Sequence, residues 1–187
     1  VYGPSKYQCF GIHDIFATQL IQHLQCILRH GTRPTITGEG IKSTMENLIL
    51  ELGSGTPFWQ LDPIPWSPLA TPSWVAATWC HLAKTDLSLQ GPMPQMKAQR
   101  EHDVFIMDSF MTLELSEEDL ISLNDVRMFK QVTRLSDITS ADGTTILETF
   151  LSSSPPTHPP PFNWPRCYRP SADQISLWKA TLRTCYL

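Results

Sequence analysis

The sequence predicts a mainly α-helical fold: a helical hairpin, further helices, one small β-hairpin and Pro-rich connecting segments. Three observations carry this. Apolar residues recur at three- and four-residue spacing in successive stretches, as in Phe16, Leu20, Leu24 and Leu28. Helix-start chemistry precedes several of those stretches, most clearly Ser116-Glu117-Glu118-Asp119. The 16 prolines cluster between the stretches instead of within them.

Taken in order, a first helix is expected over 14–30. Asp14 is its N-cap, with Ile21 and Ile27 beside the apolar line and Gly31 and Pro34 beyond its end. A second is expected over 38–52, capped by Thr37, with Ile41, Met45, Leu48, Ile49 and Leu52 on one stripe and Gly53 after it. The short loop between them makes a helical hairpin, closing the first segment, 1–53. Residues 54–72 hold five prolines and two tryptophans, which predicts an extended strap laid on the surface by Phe58, Trp59 and Trp66. Thr71-Pro72 then predicts a helix over 72–84, followed by a short strand at 85–90.

A helix over 97–112 follows from Val104, Met107 and Met111, and one over 116–130 from Leu120, Leu123, Val126 and Phe129. In "VTRLSDITSADGTT", at 132–145, Asp142-Gly143 is a strong turn signal flanked by apolar residues. A small β-hairpin near 132–147 is expected, with a helical turn at Ser136-Asp137-Ile138, so that 54–151 forms one helical region. The stretch 152–170 reads as a Pro-rich linker and 171–187 as a C-terminal helix capped by Ser171 with Gln174.

Composition narrows the function. Charged residues are only 17% and there are six Trp, so part of the apolar surface is expected to meet the rest of a longer product, to which the opening Val1-Tyr2-Gly3-Pro4 also points. A net charge of -4 gives no global field favouring nucleic acid. No run of apolar residues reaches membrane-spanning length, so no membrane partner is expected. The five cysteines form no C-x-x-C pair and are odd in number, against a disulfide framework or a zinc ribbon. Buried, reduced thiols and an intracellular setting, cytoplasmic or nuclear, are expected.

His13-Asp14 and His102-Asp103 invite a metal-dependent phosphohydrolase, with His23, His30 and Asp125 as recruits, but no spacing fixes them together. The plainer account is that Asp14 caps a helix and His102-Asp103 lies on a solvated face. Asp137 and Asp142 lack the alternating ligands and closing Glu of a calcium loop, so they read as turn formers, and removing Asp137 is expected to be mild. No nucleophile elbow, phosphate loop or dinucleotide fingerprint is present. No metal ligand, catalytic residue or cofactor is assigned.

The basic residues carry more. Arg127, Lys130 and Arg134 fall at spacings of three and four, on one face if the helix continues. Arg166 and Arg169, with Lys179 and Arg183, gather near Trp164, Tyr168 and Trp178. Cations interleaved with aromatics suit nucleic-acid backbone and stacked bases, and a solvated face over core Trp is the plainer account. Arg127, Lys130, Arg134, Arg166 and Arg169 are the candidate contacts.

The order "GIHDIFATQLIQHLQCILRH", "TGEGIKSTMENLILELG", "TPSWVAATW", "QREHDVFIMDSF", "LNDVRMFKQVTRLSDITSADGTTI" and "WPRCYRPSADQISLWKATL" resembles the region downstream of the polymerase core in reverse-transcriptase proteins of mobile elements of algae and other protists. The resemblance implies a thumb-like role for the hairpin in 1–53 and a connection role for 54–151. Polymerase chemistry in that family needs paired metal-binding aspartates, commonly within a Tyr/Phe-x-Asp-Asp sequence, which this chain does not contain. The implied function is a non-catalytic accessory segment that supports the polymerase core and touches RNA or DNA backbone. Its rival is a helical interaction scaffold docking through the aromatic, Pro-rich segment 57–79.

Overall fold

The computed structural model describes residues 14–85, 87, 89, 94–155, 164–165 and 168–186. His13, Arg166, Cys9, Cys167, most of the Pro-rich linker and half of the strand expected at 85–90 lie outside the described residues.

The chain is mainly helical. Asp14 opens α1 (Ile15–His30), its carboxylate accepting the Phe16 amide at 2.9 Å, and Gly31 follows the last turn. In α2 (Ile36–Leu52) the cap is Thr35, not Thr37. Thr35 sits in extended backbone after Pro34 and its hydroxyl accepts the Gly38 amide at 3.2 Å, so the helix starts before the point expected from the apolar stripe. Gly53 ends it in the left-handed region, φ 65°, donating to the Ile49 carbonyl.

The strap expected over 54–72 is not extended. A 3-10 turn at Phe58–Gln60, a short α3 (Pro63–Trp66) and a second 3-10 turn at Ser67–Leu69 fold it inward. Pro57, Pro63 and Pro68 sit before or at the start of a turn and Pro65 falls in the first turn of α3, where a missing N–H costs no helical bond. Phe58, Trp66 and Leu69 are buried. Thr71 does not cap the next helix, because its amide and hydroxyl both donate to the buried Glu51 carboxylate. Ser73 caps α4 (Trp74–Leu82) instead, accepting the Ala76 amide at 3.1 Å.

The long helix expected over 97–112 shrinks to α5 (Ile106–Phe110). Asp103 accepts the Gln99 amide at 3.1 Å and His102 takes φ 58°, which folds 99–103 into a turn. Val104 and Phe105 then run extended beside the segment around Arg134, through Leu135 N to Val104 O at 2.8 Å and Ile106 N to Thr133 O at 3.0 Å. Ser116 caps α6 (Glu117–Lys130) as its sequence predicts. Gln131 ends α6 at φ 57°.

The β-hairpin expected near 132–147 forms no strand ladder; among the described residues only two isolated antiparallel bridges occur. The helical turn within it is real, as α7 (Leu135–Ile138), and the Thr139–Ile146 bridge closes the loop around Asp142-Gly143, with Gly143 at φ 76°. After α8 (Glu148–Leu151) the chain ends in α9 (Ala172–Tyr186), opened by Ser171 and Gln174 exchanging side-chain-to-amide bonds.

The central element is α6. It packs on α9, α2 and the turn at Ser67–Leu69, while α1 lies over α4 and α2. Leu123, Val126, Met107, Phe110 and Trp178 share the core, Phe110 meeting Trp178 edge-on at 5.6 Å. The two deepest indoles spend their N–H groups on backbone: Trp79 to the Leu61 carbonyl and Trp178 to the Phe150 carbonyl, each at 3.1 Å.

Candidate functional site

The three central candidate cations lie on and after α6, and none is at the surface. Arg127 is completely buried. Nε donates to Asn124 Oδ1 at 2.8 Å, Nη1 to the Val132 carbonyl at 3.2 Å, and Nη2 to the carbonyls of Leu50 at 2.5 Å and Glu51 at 2.9 Å. The guanidinium also lies over the Trp164 ring at 5.9 Å. The last carbonyls of α2 have no helical donor, and they sit at the negative end of its dipole, so a buried cation there serves as a C-terminal cap. Burial pushes the Arg127 pKa down to about 9, opposed by Glu51 and Asp137.

Lys130 is 2% exposed and its Nζ donates to the carbonyls of Thr149 at 3.0 Å and Ser154 at 2.7 Å. It pins the segment around α8 against α6. Burial pushes its pKa down to about 8. Buried, and bound to carbonyls of their own chain, Arg127 and Lys130 do not form a surface on which a phosphate could sit in this structure. That replaces the expected cationic face, and the physical reason is that helix α6 turns this flank onto α2 and α8.

Arg134 is different. It is 8% exposed, yet its Nε has no partner, and Nη1 stands 3.7 Å from Asp137 Oδ1. Its guanidinium lies 5.8 Å over the Phe105 ring. Of the two further candidates, Arg169 is exposed, and Arg166 lies outside the described residues.

Arg134 lines a cavity of about 460 Å³ between the exposed side of α2 and the extended segment 94–97, with Ser43, Glu46, Asn47, Gln95 and Lys97 on its walls. A second hollow of about 440 Å³ runs on past the start of α2, walled by Arg33, Glu39 and Lys42. Both reach Pro94. Together they form a groove along α2 with four cations, Arg33, Lys42, Lys97 and Arg134, against two acids, Glu39 and Glu46. Lys42 and Glu46 partly offset each other at 3.8 Å. Sequence spacing missed Arg33, Lys42 and Lys97, because they come from separate segments that only the fold brings together.

The acidic candidates have structural partners. Asp137 Oδ2 accepts the Thr133 amide at 2.8 Å, the Thr133 hydroxyl at 3.1 Å and the Arg134 amide at 2.9 Å. Asp103 accepts the Ser136 hydroxyl at 2.6 Å. Burial acts to raise the Asp103 pKa, but the Ser136 hydroxyl and the Gln99 and Ser136 amides outweigh it, so the carboxyl ends below its ordinary value. The Ser140 hydroxyl and the Thr144 amide hold the exposed Asp142 carboxyl down at about 2. His23 bonds Thr78 at 2.9 Å. Among the described residues no three His, Cys, Asp or Glu side chains converge on a point where a metal would sit. Cys26, Cys80 and Cys185 are free and half-buried, and no described helix is long and apolar enough to cross a membrane.

The aromatic segment 57–79 offers little surface. Phe58, Trp66 and Trp79 are core residues, and Ile64 is its large exposed apolar side chain. Set against models of known protein families, curated proteins and solved structures, the chain matches none of them.

Proposed function

We propose that the chain is a non-catalytic accessory module of a reverse-transcriptase-like protein, touching nucleic-acid backbone through the groove along α2. The observation that supports this is the groove's lining: Arg33, Lys42 and Lys97 reach solvent, and Arg134 stands behind them. Positive charge in a concave surface attracts a polyanion even when the net charge is negative. The contact surface therefore moves from the flank of α6 to α2. No base-reading motif lines the groove, so binding is weak, salt-sensitive and indifferent to sequence.

Fluorescence anisotropy with labelled single-stranded and duplex oligonucleotides across a salt titration tests this. The Arg33→Gln/Lys42→Gln/Lys97→Gln variant loses most low-salt binding, and its salt slope falls by about 2–3. Unchanged affinity and slope in that variant would remove the reading.

A second reading has its own observation. Ile21 and Leu28 on one flank of α1, and Ile15 and Phe16 at its start, are all more than half exposed. Such a face suits the rest of the parent polypeptide, packed on α1 as a protein partner. Ile21→Ser/Leu28→Ser would abolish capture of this chain by the remainder of its own reading frame, and undiminished capture would discard the idea.

A further inference from the structure

We propose that the cavity between α2 and residues 94–97 binds a phosphoryl oxyanion, with Arg134 as its buried anchor and Lys97 at its rim. This deepens the groove reading by naming the chemical group its inner end takes.

The argument starts from two arginines in one core. Every nitrogen of Arg127 donates to an oxygen of its own chain. Arg134 is buried to nine-tenths by its side chain, but its Nε has no acceptor. The nearest carboxylate does not supply one. Asp137 spends Oδ2 on the Thr133 amide and hydroxyl and the Arg134 amide, and Oδ1 stays 3.7 Å from Nη1, beyond hydrogen-bond length. The Phe105 ring at 5.8 Å answers the charge but accepts no in-plane N–H. A buried guanidinium with unused donors is costly, and an oxyanion in fork geometry removes that cost.

The space in front of it fits. About 460 Å³ accommodates a nucleotide-sized group. Lys97 is exposed at the opening and adds a second positive charge. Ser43, Asn47 and Gln95 add neutral donors from two walls. Glu46 is the one acid on the wall, and Lys42 lies 3.8 Å from its carboxylate. Phosphate of a free nucleotide and phosphate of a strand share this chemistry.

Amide chemical shifts and melting temperature are measured on the whole chain with inorganic phosphate, adenosine monophosphate and a short oligothymidylate, against chloride at matched ionic strength. Phosphate and the monophosphate should shift amides at Asn47, Lys97 and Arg134 and raise the melting temperature. Asn47→Phe fills the cavity from an exposed position and Lys97→Gln removes the rim charge; each should weaken binding about tenfold. Arg134→Gln should abolish it, and the other two variants keep the test decisive if that one fails to fold. Absence of shifts with phosphate and the monophosphate, or equal affinity in Asn47→Phe, overturns the inference. Oligothymidylate binding that survives Asn47→Phe leaves the groove reading standing and this one fallen. Monophosphate binding at Arg134 without oligothymidylate binding does the reverse.

Discussion

The guanidinium of Arg127 caps a helix 77 positions upstream, with Nη2 2.5 Å from the carbonyl oxygen of Leu50. Gly53, the residue that ends that helix, leaves the space: a Cβ there would stand 2.6 Å from Arg127 Cζ and would also have to adopt φ 65°.

Gly53→Ala therefore carries two penalties, the left-handed backbone and a collision with a side chain fixed at every nitrogen. A loss of roughly 2–4 kcal/mol is expected in urea denaturation. Arg127→Met takes the guanidinium donors from the buried Leu50 and Val132 carbonyls, while Asn124 Nδ2 still serves the Glu51 carbonyl at 2.9 Å, and should cost about 3–5 kcal/mol. A change under half a kcal/mol in Arg127→Met would mean that the guanidinium adds nothing to the end of α2.

Lys130 gives the pH signature. Its folded pKa, about 8, lies below its ordinary 10.5. Between those values the unfolded chain holds a proton that the folded chain has released, so stability from this residue rises as pH climbs from 8 toward 10.5, and below pH 8 the cost of the buried charge is fully present. Urea midpoints at about pH 7.5, 9 and 10 follow this rise from below the window into its upper part. Lys130→Met should be flatter over the same range; equal slopes in the two proteins would contradict the assignment.

Asp137 and Gly143 separate two kinds of turn chemistry. Asp137→Ala strips the acceptor from two backbone amides and the buried Thr133 hydroxyl, and should cost about 2–3 kcal/mol. Asp137→Asn keeps an oxygen there and should cost less. A Cβ at Gly143, φ 76°, would make ordinary contact with Arg100 Nη1 at 3.6 Å, so Gly143→Ala meets only backbone strain of about 1 kcal/mol, with Gly143→Val worse. Thermal melts of the four variants rank them, and a harmless Asp137→Ala would restore the view of that carboxylate as a mere turn former.

Trp178 is fully buried against Phe110 and bonded to the Phe150 carbonyl. Trp178→Ala should cost about 3–5 kcal/mol. Trp178→Phe keeps one aromatic ring but loses the indole donor to the Phe150 carbonyl and part of the ring volume, so it should cost less than Trp178→Ala. Near-ultraviolet circular dichroism distinguishes a loosened core from a lost one.

Local signals were legible where local chemistry decides. Asp14, Ser116, Gly53 and Gly143 each act within a few residues, and each is found where its sequence places it. Thr37 and Thr71 misled because other partners claimed the ends: Thr35 for α2, and Glu51 for Thr71. The helix expected over 97–112 was broken by Asp103 reaching Gln99 and Ser136, a contact no window of apolar spacing contains. The cationic spacing of Arg127, Lys130 and Arg134 is genuine, but spacing does not say which way a face turns. Long side chains with positive ends suit a surface or a row of buried carbonyls equally well, and only the packing of α6 on α2 and α8 chose. Lys97 and Arg33 were invisible for the converse reason, since a groove built from three segments has no sequence period.

The tie between Arg127 and Leu50 also sets an order in time. A ribosome releases the two N-terminal helices well before the residues that close them, so α2 waits with its last carbonyls facing water until α6 has been synthesised and swung into place. Closure across so long a stretch is slow compared with winding a helix. During that wait the nascent hairpin is open at one end, and its uncapped carbonyls and uncovered apolar stripe are accessible to chaperones, proteases and wrong partners.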